Sequence, residues 1–345
     1  MDSYQLNIGT YKGFLKDNLP DGNGTLAFNE EDERLEYEGN WVSGIRTGEG
    51  QMTFKSGDVY KGAFDNNLPH GVGTFLYANG DIEDGTWENG ERHGCCVYKS
   101  ASEGSREEME FVQGIPHGKS HVKNPDGSKE IRSYINGQKN GNAKLTLTNG
   151  DTLEFNYVND SIEGKAIYKA DKLVDESHYQ NGIKHGPSIE TNGNGDKEER
   201  SYEEGFLEGP AILTGLNGDI FKFNYKKGIK NGNFTYTWKD GSKEVGLFDK
   251  EGNQNGPTKM TWANGSFREG VKKNGVWEGK VVYTHGKDTP MPGKRDLEIW
   301  GDGKLIKSQK YYGEEIVVDD WYDLDKLVDH DKTGACPMKS LHRCC

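Results

Sequence analysis

The chain has 345 residues, with 48 glycines, 32% apolar residues, 11% aromatics and a formal net charge of −13. So much glycine with so little aliphatic content excludes one large spherical core, and the ordinary aromatic share excludes a disordered chain. The negative charge disfavours generic binding to nucleic acid or anionic lipid.

The opening residues are polar, so a secretory leader is not expected, and 1–10 reads as a lead-in strand. No apolar run approaches the roughly 20 residues of a membrane-spanning helix. From residue 11 the sequence repeats. A row of large residues recurs at Leu15, Trp41, Phe64, Trp87, Phe111, Tyr134, Tyr157, Tyr179, Tyr202, Tyr225, Phe248 and Val271. From Trp41 on, the interval is 22 to 24 residues. A glycine follows each member by seven or eight residues, from Gly22 and Gly48 to Gly256 and Gly279. Twelve units held in phase predict a repeat array over 11–290.

Each unit reads as two short strands. In the first, residues of one face alternate with the other, as Tyr60, Gly62 and Phe64 do. A turn follows, as in Asn67-Leu-Pro-His-Gly71. The second strand ends in an Asn-Gly or Asp-Gly step, such as Asn79-Gly80, Asn149-Gly150 and Asp240-Gly241. Such steps tolerate positive φ and predict two-residue hairpin turns. The expected fold is all-β: an elongated solenoid of about twelve stacked antiparallel hairpins. Two strands per repeat, about 4.8 Å apart, predict a rod on the order of 115 Å long. The aromatic row is its structural core.

The pattern Tyr-x-Gly-x-Trp/Phe, then Gly, then Gly-x-Gly, resembles the MORN (membrane occupation and recognition nexus) repeat. Units from Tyr11 to Gly24, Tyr37 to Gly50 and Tyr60 to Gly73 carry it fully, and later units drift. The second glycine of Gly-x-Gly becomes Cys96, Ser120, Ala143, Ala166, Ser188 and Ala211. The resemblance implies an array of β-hairpins serving as a non-enzymatic scaffold at a membrane, cytoskeletal structure or cilium.

Residues with chemical potential have structural readings. His70, His93, His117 and His185 each precede a turn glycine. About one repeat step apart, roughly 10 Å, they are too distant to share a metal. Gly22-Asn-Gly24 lacks the following helix that a phosphate loop needs. No carboxylate pair or nucleophile–base pair stands out, so no enzyme, cofactor, metal or small-molecule substrate is expected. Cys95 and Cys96 read as small packing residues. The charge is uneven: residues 1–118 hold 9 Lys/Arg against 21 Asp/Glu, and residues 222–273 hold 11 against 5. Lys222, Lys226, Lys227, Lys230, Lys272 and Lys273 form a candidate patch for an anionic partner. The expected partners are proteins, with anionic membrane lipid and a second copy of the chain as further candidates.

After the array, 291–332 reads as a cap. Trp321, Leu324 and Val328 recur at helical spacing and predict a short acidic helix over 319–328. The tail, 333–345, ends in Cys344-Cys345, with Cys336 upstream. The adjacent pair resembles the prenylated ends of vesicle-traffic GTPases, and S-palmitoylation of the three cysteines is the alternative. Two lipid chains would anchor stably where one would not. The five cysteines form no disulfide framework, which points to a reducing, cytoplasmic location, peripheral to a membrane or cytoskeletal structure.

Overall fold

A computed structural model describes residues 3–312 and the backbone of the strand Glu315–Trp321. The described residues form antiparallel strands joined by tight turns, and none of them is helical. The chain divides into two units, Met1–Ile183 and Lys184–Cys345. In the first unit an open meander runs from Ser3–Leu6 to Leu173–Gln180. In the second, another runs from Lys197–Glu203 to Glu315–Trp321.

The first turn of each hairpin is set by residues that accept positive φ. Asn66 and Asn67 have φ of 47° and 70°, and Asn89 and Gly90 have 51° and 87°. Two consecutive positive values are the mark of a type I′ turn, whose twist matches that of the flanking strands. The Asn-Gly steps assigned two-residue turns from the sequence behave differently. In Tyr77-Ala-Asn-Gly80 only the glycine is positive, at 91°. The loop closes through Gly80 N–H to the Tyr77 carbonyl (2.9 Å) and Tyr77 N–H to the Asp81 carbonyl (2.9 Å). This is a longer loop ending in a left-handed glycine, so one positive φ suffices and Asn79 is free to cap it.

A bulge in each early hairpin follows the first turn. Between the pairs Gly62↔Gly73 and Phe64↔Pro69, the residues His70 to Val72 stand against the single Ala63. Gly71, at φ 76°, absorbs the bend. The bulged glycine then lies opposite the aromatic of the following repeat. The pairs are Gly22↔Trp41, Gly48↔Phe64 and Gly71↔Trp87 in the first unit, and Gly209↔Tyr225 and Gly232↔Phe248 in the second. This register corrects the end of the aromatic row. Gly256 faces Lys272, while Val271 points to the other side and is exposed. One residue inserted before Gly256 moved the phase, and the simple count from Phe248 missed it. The row then continues to Trp300, opposite Gly279.

In the first three full repeats the core is a tyrosine lying over glycines. Tyr11, Tyr37 and Tyr60 are 0%, 0% and 1% exposed. Their hydroxyls donate to the carbonyls of Phe14, Asn40 and Ala63. Beneath Tyr37 lie Gly39 and Gly50, paired across two strands. A Cβ on either glycine would come within 2.5 Å of the Tyr37 hydroxyl oxygen. The glycine row runs on through Gly50↔Gly62, Gly62↔Gly73 and Gly73↔Gly85. It stops at Cys96, whose Sγ occupies the space beside Gly85.

The C-terminal helix expected over 319–328 is corrected at its start. Asp319, Asp320 and Trp321 end a strand, paired with Gln309, Ser308 and Lys307. The β-branched run Ile316-Val317-Val318 and the unpaired edge of Lys304–Tyr312 together favour strand addition over a helical turn. The rest of that segment, and the tail with Cys336, Cys344 and Cys345, lies outside the described residues.

Candidate functional site

Successive hairpins bring the same positions together on one face of each unit. The first residue of one repeat's motif meets the row aromatic of the next. In the early repeats both are rings: Tyr11–Trp41, Tyr37–Phe64 and Tyr60–Trp87 pack edge to face at 5.5, 5.0 and 5.2 Å. Each such pair contributes about 0.5–1.5 kcal/mol beyond its burial. In later repeats the ring at the first position becomes a carboxylate, and the contact becomes polar. Tyr134 donates to Glu107 (3.2 Å), Tyr157 to Glu130 (3.2 Å) and, in the second unit, Tyr225 to Glu198 (3.0 Å). Burial, and then the neighbouring carboxylate, push the Tyr134 and Tyr157 hydroxyls up to about 12, so they stay protonated as donors.

Where a glycine of the row is lost, another group fills the space. Arg132 pairs with Glu107 at 2.7 Å, and Arg200 with Glu190 at 2.6 Å. Phe223 stacks on Phe221 at 4.6 Å. At Lys272 the aromatic itself is replaced, and its ammonium meets Glu244 at 2.8 Å with both side chains nearly enclosed. Most of these drifted repeats therefore keep the geometry of stacking and change its chemistry from rings to hydrogen-bonded charge, while Phe221 still meets Phe248 ring to ring at 6.2 Å.

Beside the row runs a second series, the residue paired with each row member across the first turn. In the first unit it reads Pro20, Arg46, Pro69, Arg92, Pro116, Lys139, Ile162. A cation thus stands at every second repeat. Each lies over a ring: Arg46 over Tyr37 (5.5 Å), Arg92 over Phe111 (4.5 Å) and Lys139 over Tyr157 (5.3 Å). The second unit has Lys184 over Tyr202 (5.0 Å) and Lys230 over Phe223 (4.7 Å). Burial lowers the Lys230 ammonium below the usual lysine range, and the charge of Glu198 opposes that shift. The sequence reading missed this series because it followed the 23-residue unit. The signal lies at twice that period, in Trp41 with Arg46 and Trp87 with Arg92. Beside Arg92 a groove of about 290 Å³ opens, lined by Phe75, Tyr77, Glu83 and Trp87. Glu83 stands where earlier repeats carry a tyrosine, and the smaller carboxylate leaves the room.

The opposite face carries ion pairs open to solvent, such as Lys99–Asp84, Lys144–Glu154 and Lys259–Glu269. Exposed pairs of this kind contribute little.

The structure distributes the candidate lysines rather than gathering them. Lys230 and Lys272 turn to the aromatic face, and Lys222, exposed, lies on the other, paired across the ladder with Ile212 and Thr235. Lys226 and Lys227 lie at a first turn, with Lys227 at φ 49°, and Lys273 flanks another. The row aromatics Trp41, Phe64, Trp87, Phe111 and Phe248 are buried, while Tyr134, Tyr157, Tyr179, Tyr202 and Tyr225 are half-buried. Cys96 is buried and takes a place in the glycine row, whereas Cys95 is exposed beside Glu108. His93 lies 3.3 Å from Glu88 across its own turn.

These features define a class: a tandem β-hairpin repeat protein with a ring-and-charge face in each unit. Six stretches match the MORN repeat, at residues 11–32, 37–59, 60–82, 84–105, 133–152 and 224–243. The chain is a MORN-repeat protein. Such repeats are generally modules of interaction scaffolds, and the family is typically non-catalytic. No curated protein matches the sequence. Among solved structures, the TCP domain of SAS-4 (dCPAP) of Drosophila melanogaster, determined in complex with a proline-rich motif of Ana2 (dSTIL), is 19% identical. The alignment covers 52% of this chain and 85% of that one, with a TM-score of 0.27.

Proposed function

We propose that the protein is a non-enzymatic scaffold that binds protein partners through the aromatic faces of its two units and links them to a membrane or cytoskeletal surface from the cytoplasmic side. The observation that carries this reading is the cation placed over a ring at every second repeat. Arg92, Lys139 and Lys230 each combine apolar surface with a positive charge. That combination recurs at interfaces, where rings and guanidinium groups supply most of the binding energy. Replacing Arg92, Lys139 and Lys230 together by alanine tests it. Native pull-down from the source cell should lose its co-purifying proteins in the triple variant. Full retention of the same partners would reject these faces as the binding surface.

Attachment through the C-terminal cysteines belongs to the same proposal. Lipid on Cys344 and Cys345, with Cys336 as a further site, would supply the two chains that stable anchoring needs. Intact mass of the native protein reads this directly, and Cys344→Ser with Cys345→Ser should release it from membranes. An unmodified mass with unchanged localisation would favour the second reading, a cytosolic or ciliary assembly module without a lipid anchor. Self-association belongs to that second reading as well. The acidic excess of residues 1–118 and the basic excess of 222–273 suit a salt-sensitive contact between copies.

A further inference from the structure

Arg46 differs from every other member of the cation series in its surroundings. Its residue is 6% exposed, and its Nε and Nη1 are enclosed without a hydrogen-bond partner. The guanidinium lies between the Phe28 ring (5.6 Å) and the Tyr37 ring (5.5 Å). Arg132, Arg200 and Arg268 also enclose their Nε, yet each has a carboxylate at 2.7, 2.6 and 3.1 Å.

The repeat supplies its own control. Two repeats on, Arg92 holds the same place opposite Trp87 that Arg46 holds opposite Trp41. Arg92 has a carboxylate, Glu83, at 3.5 Å. The residue corresponding to Glu83 beside Arg46 is Tyr37, whose hydroxyl is already committed to the Asn40 carbonyl. The carboxylate whose charge acts on Arg46, Asp32, is already held by Arg34 through contacts of 2.6 and 2.9 Å. Arg34 itself lies 4.3 Å over the other side chain in the group, the Phe28 ring. Burial, and then the charge of Arg34, draw the Arg46 guanidinium down to about 10. A buried cation left without a counter-charge is unfavourable, and ring faces offset only part of that.

We infer that Arg46, recessed between Phe28 and Tyr37, is a receptor for a single carboxylate side chain of a protein partner, which supplies from outside the chain the counter-charge that Glu83 gives Arg92. A partner carboxylate is favoured over a membrane headgroup by two features. The guanidinium is recessed, so one projecting side chain reaches it where a flat bilayer surface does not. The surrounding residues 1–118 carry a charge excess of 21 acidic to 9 basic groups, which repels an anionic surface. The fitting segment is therefore neutral or basic overall, with one Asp or Glu at the contact. This inference deepens the scaffold reading, and its test uses a small probe, so its failure leaves capture by the rest of the aromatic faces untouched.

The test is thermal unfolding of the full chain with N-acetylglutamate amide against N-acetylglutamine amide at matched ionic strength. The glutamate derivative alone should raise the melting temperature. In Arg46→Met its apparent affinity should fall on the order of tenfold or more, the loss expected for a charge-assisted hydrogen bond. Lys61→Met, which removes an exposed cation of the same unit, should keep the full response. Without ligand, Arg46→Met should melt no lower than wild type, since the unpaired charge is gone. Arg46→Lys, which retains the cation without the planar fork, should respond more weakly than wild type. Equal response to both amides, an undiminished response in Arg46→Met, or stabilisation by anionic vesicles alone would overturn the assignment.

Discussion

The tyrosine–glycine contact sets the tolerance of the early repeats at the residue scale. Tyr37 is fully buried and its hydroxyl donates to Asn40 at 3.1 Å. Tyr37→Phe keeps the ring and loses that bond, and should cost about 1 kcal/mol in urea unfolding. Gly50→Ala should cost more, about 1–3 kcal/mol, because its methyl would lie 2.5 Å from the oxygen and 2.7 Å from a ring carbon of the fully buried Tyr37. A smaller effect at Gly50 than at Tyr37 would mean that the ring can move aside. A second residue-scale prediction concerns acid. The bidentate contact with Arg34 lowers the Asp32 carboxyl from its ordinary range to about 2. A lowered folded value means the carboxylate's contribution is complete above about pH 4 and disappears as the pH falls toward 2. Asp32→Asn should flatten that part of the stability profile and leave the neutral region near its wild-type slope.

Between neighbouring hairpins, two devices hold one element to the next. One is the ring or charge contact across the aromatic face. Glu244 and Lys272 form its most enclosed ionic version, at 2.8 Å. Lys272→Ala should cost about 3–5 kcal/mol, since it leaves a buried carboxylate without its partner. The double change Glu244→Tyr with Lys272→Trp should recover most of that loss, because the same two positions hold Tyr60 and Trp87 in an early repeat. A double variant as unstable as the single one would show that the later backbone cannot seat rings. The other device is the loop aspartate. Asp219 accepts the Lys239 N–H at 2.9 Å and the Tyr236 hydroxyl at 2.9 Å, tying one loop to the loop of the next repeat. Asp58 and Asp196 accept the Ala78 and Leu216 N–H groups in the same way. The sequence showed the Asn-Gly and Asp-Gly steps but not this role, since the partner N–H lies 20 residues away in the chain. The same reason hid the Glu107–Tyr134 and Glu130–Tyr157 contacts: each half looks like an unremarkable polar substitution until the hairpins are stacked.

Across the whole molecule, the repeat phase made the all-β hairpin array legible, because a two-residue side-chain alternation and a 23-residue recurrence are local signals that survive drift. What drift concealed was compensation. Gly-to-Arg at Arg132 and Tyr-to-Glu at Glu107 each break the motif when read singly, yet together they form a 2.7 Å ion pair. Similarly, the one-residue insertion before Gly256 shifted the row from Val271 to Lys272, and only the strand register reveals it. The interactions found in both units join a repeat to its immediate neighbours, so stability should be a sum of local terms rather than a single global one. Native-state hydrogen exchange tests this. Gly50→Ala should lower protection in the strands that carry Tyr37, Gly50 and Gly62, which share the packed glycine row. Amides around Phe221, Phe234 and Phe248, in a separate hydrophobic cluster, should exchange as in wild type. If protection at that cluster of the second unit fell by the same factor as at Gly50, the chain would be unfolding as one cooperative body, and the nearest-neighbour account of its stability would fail.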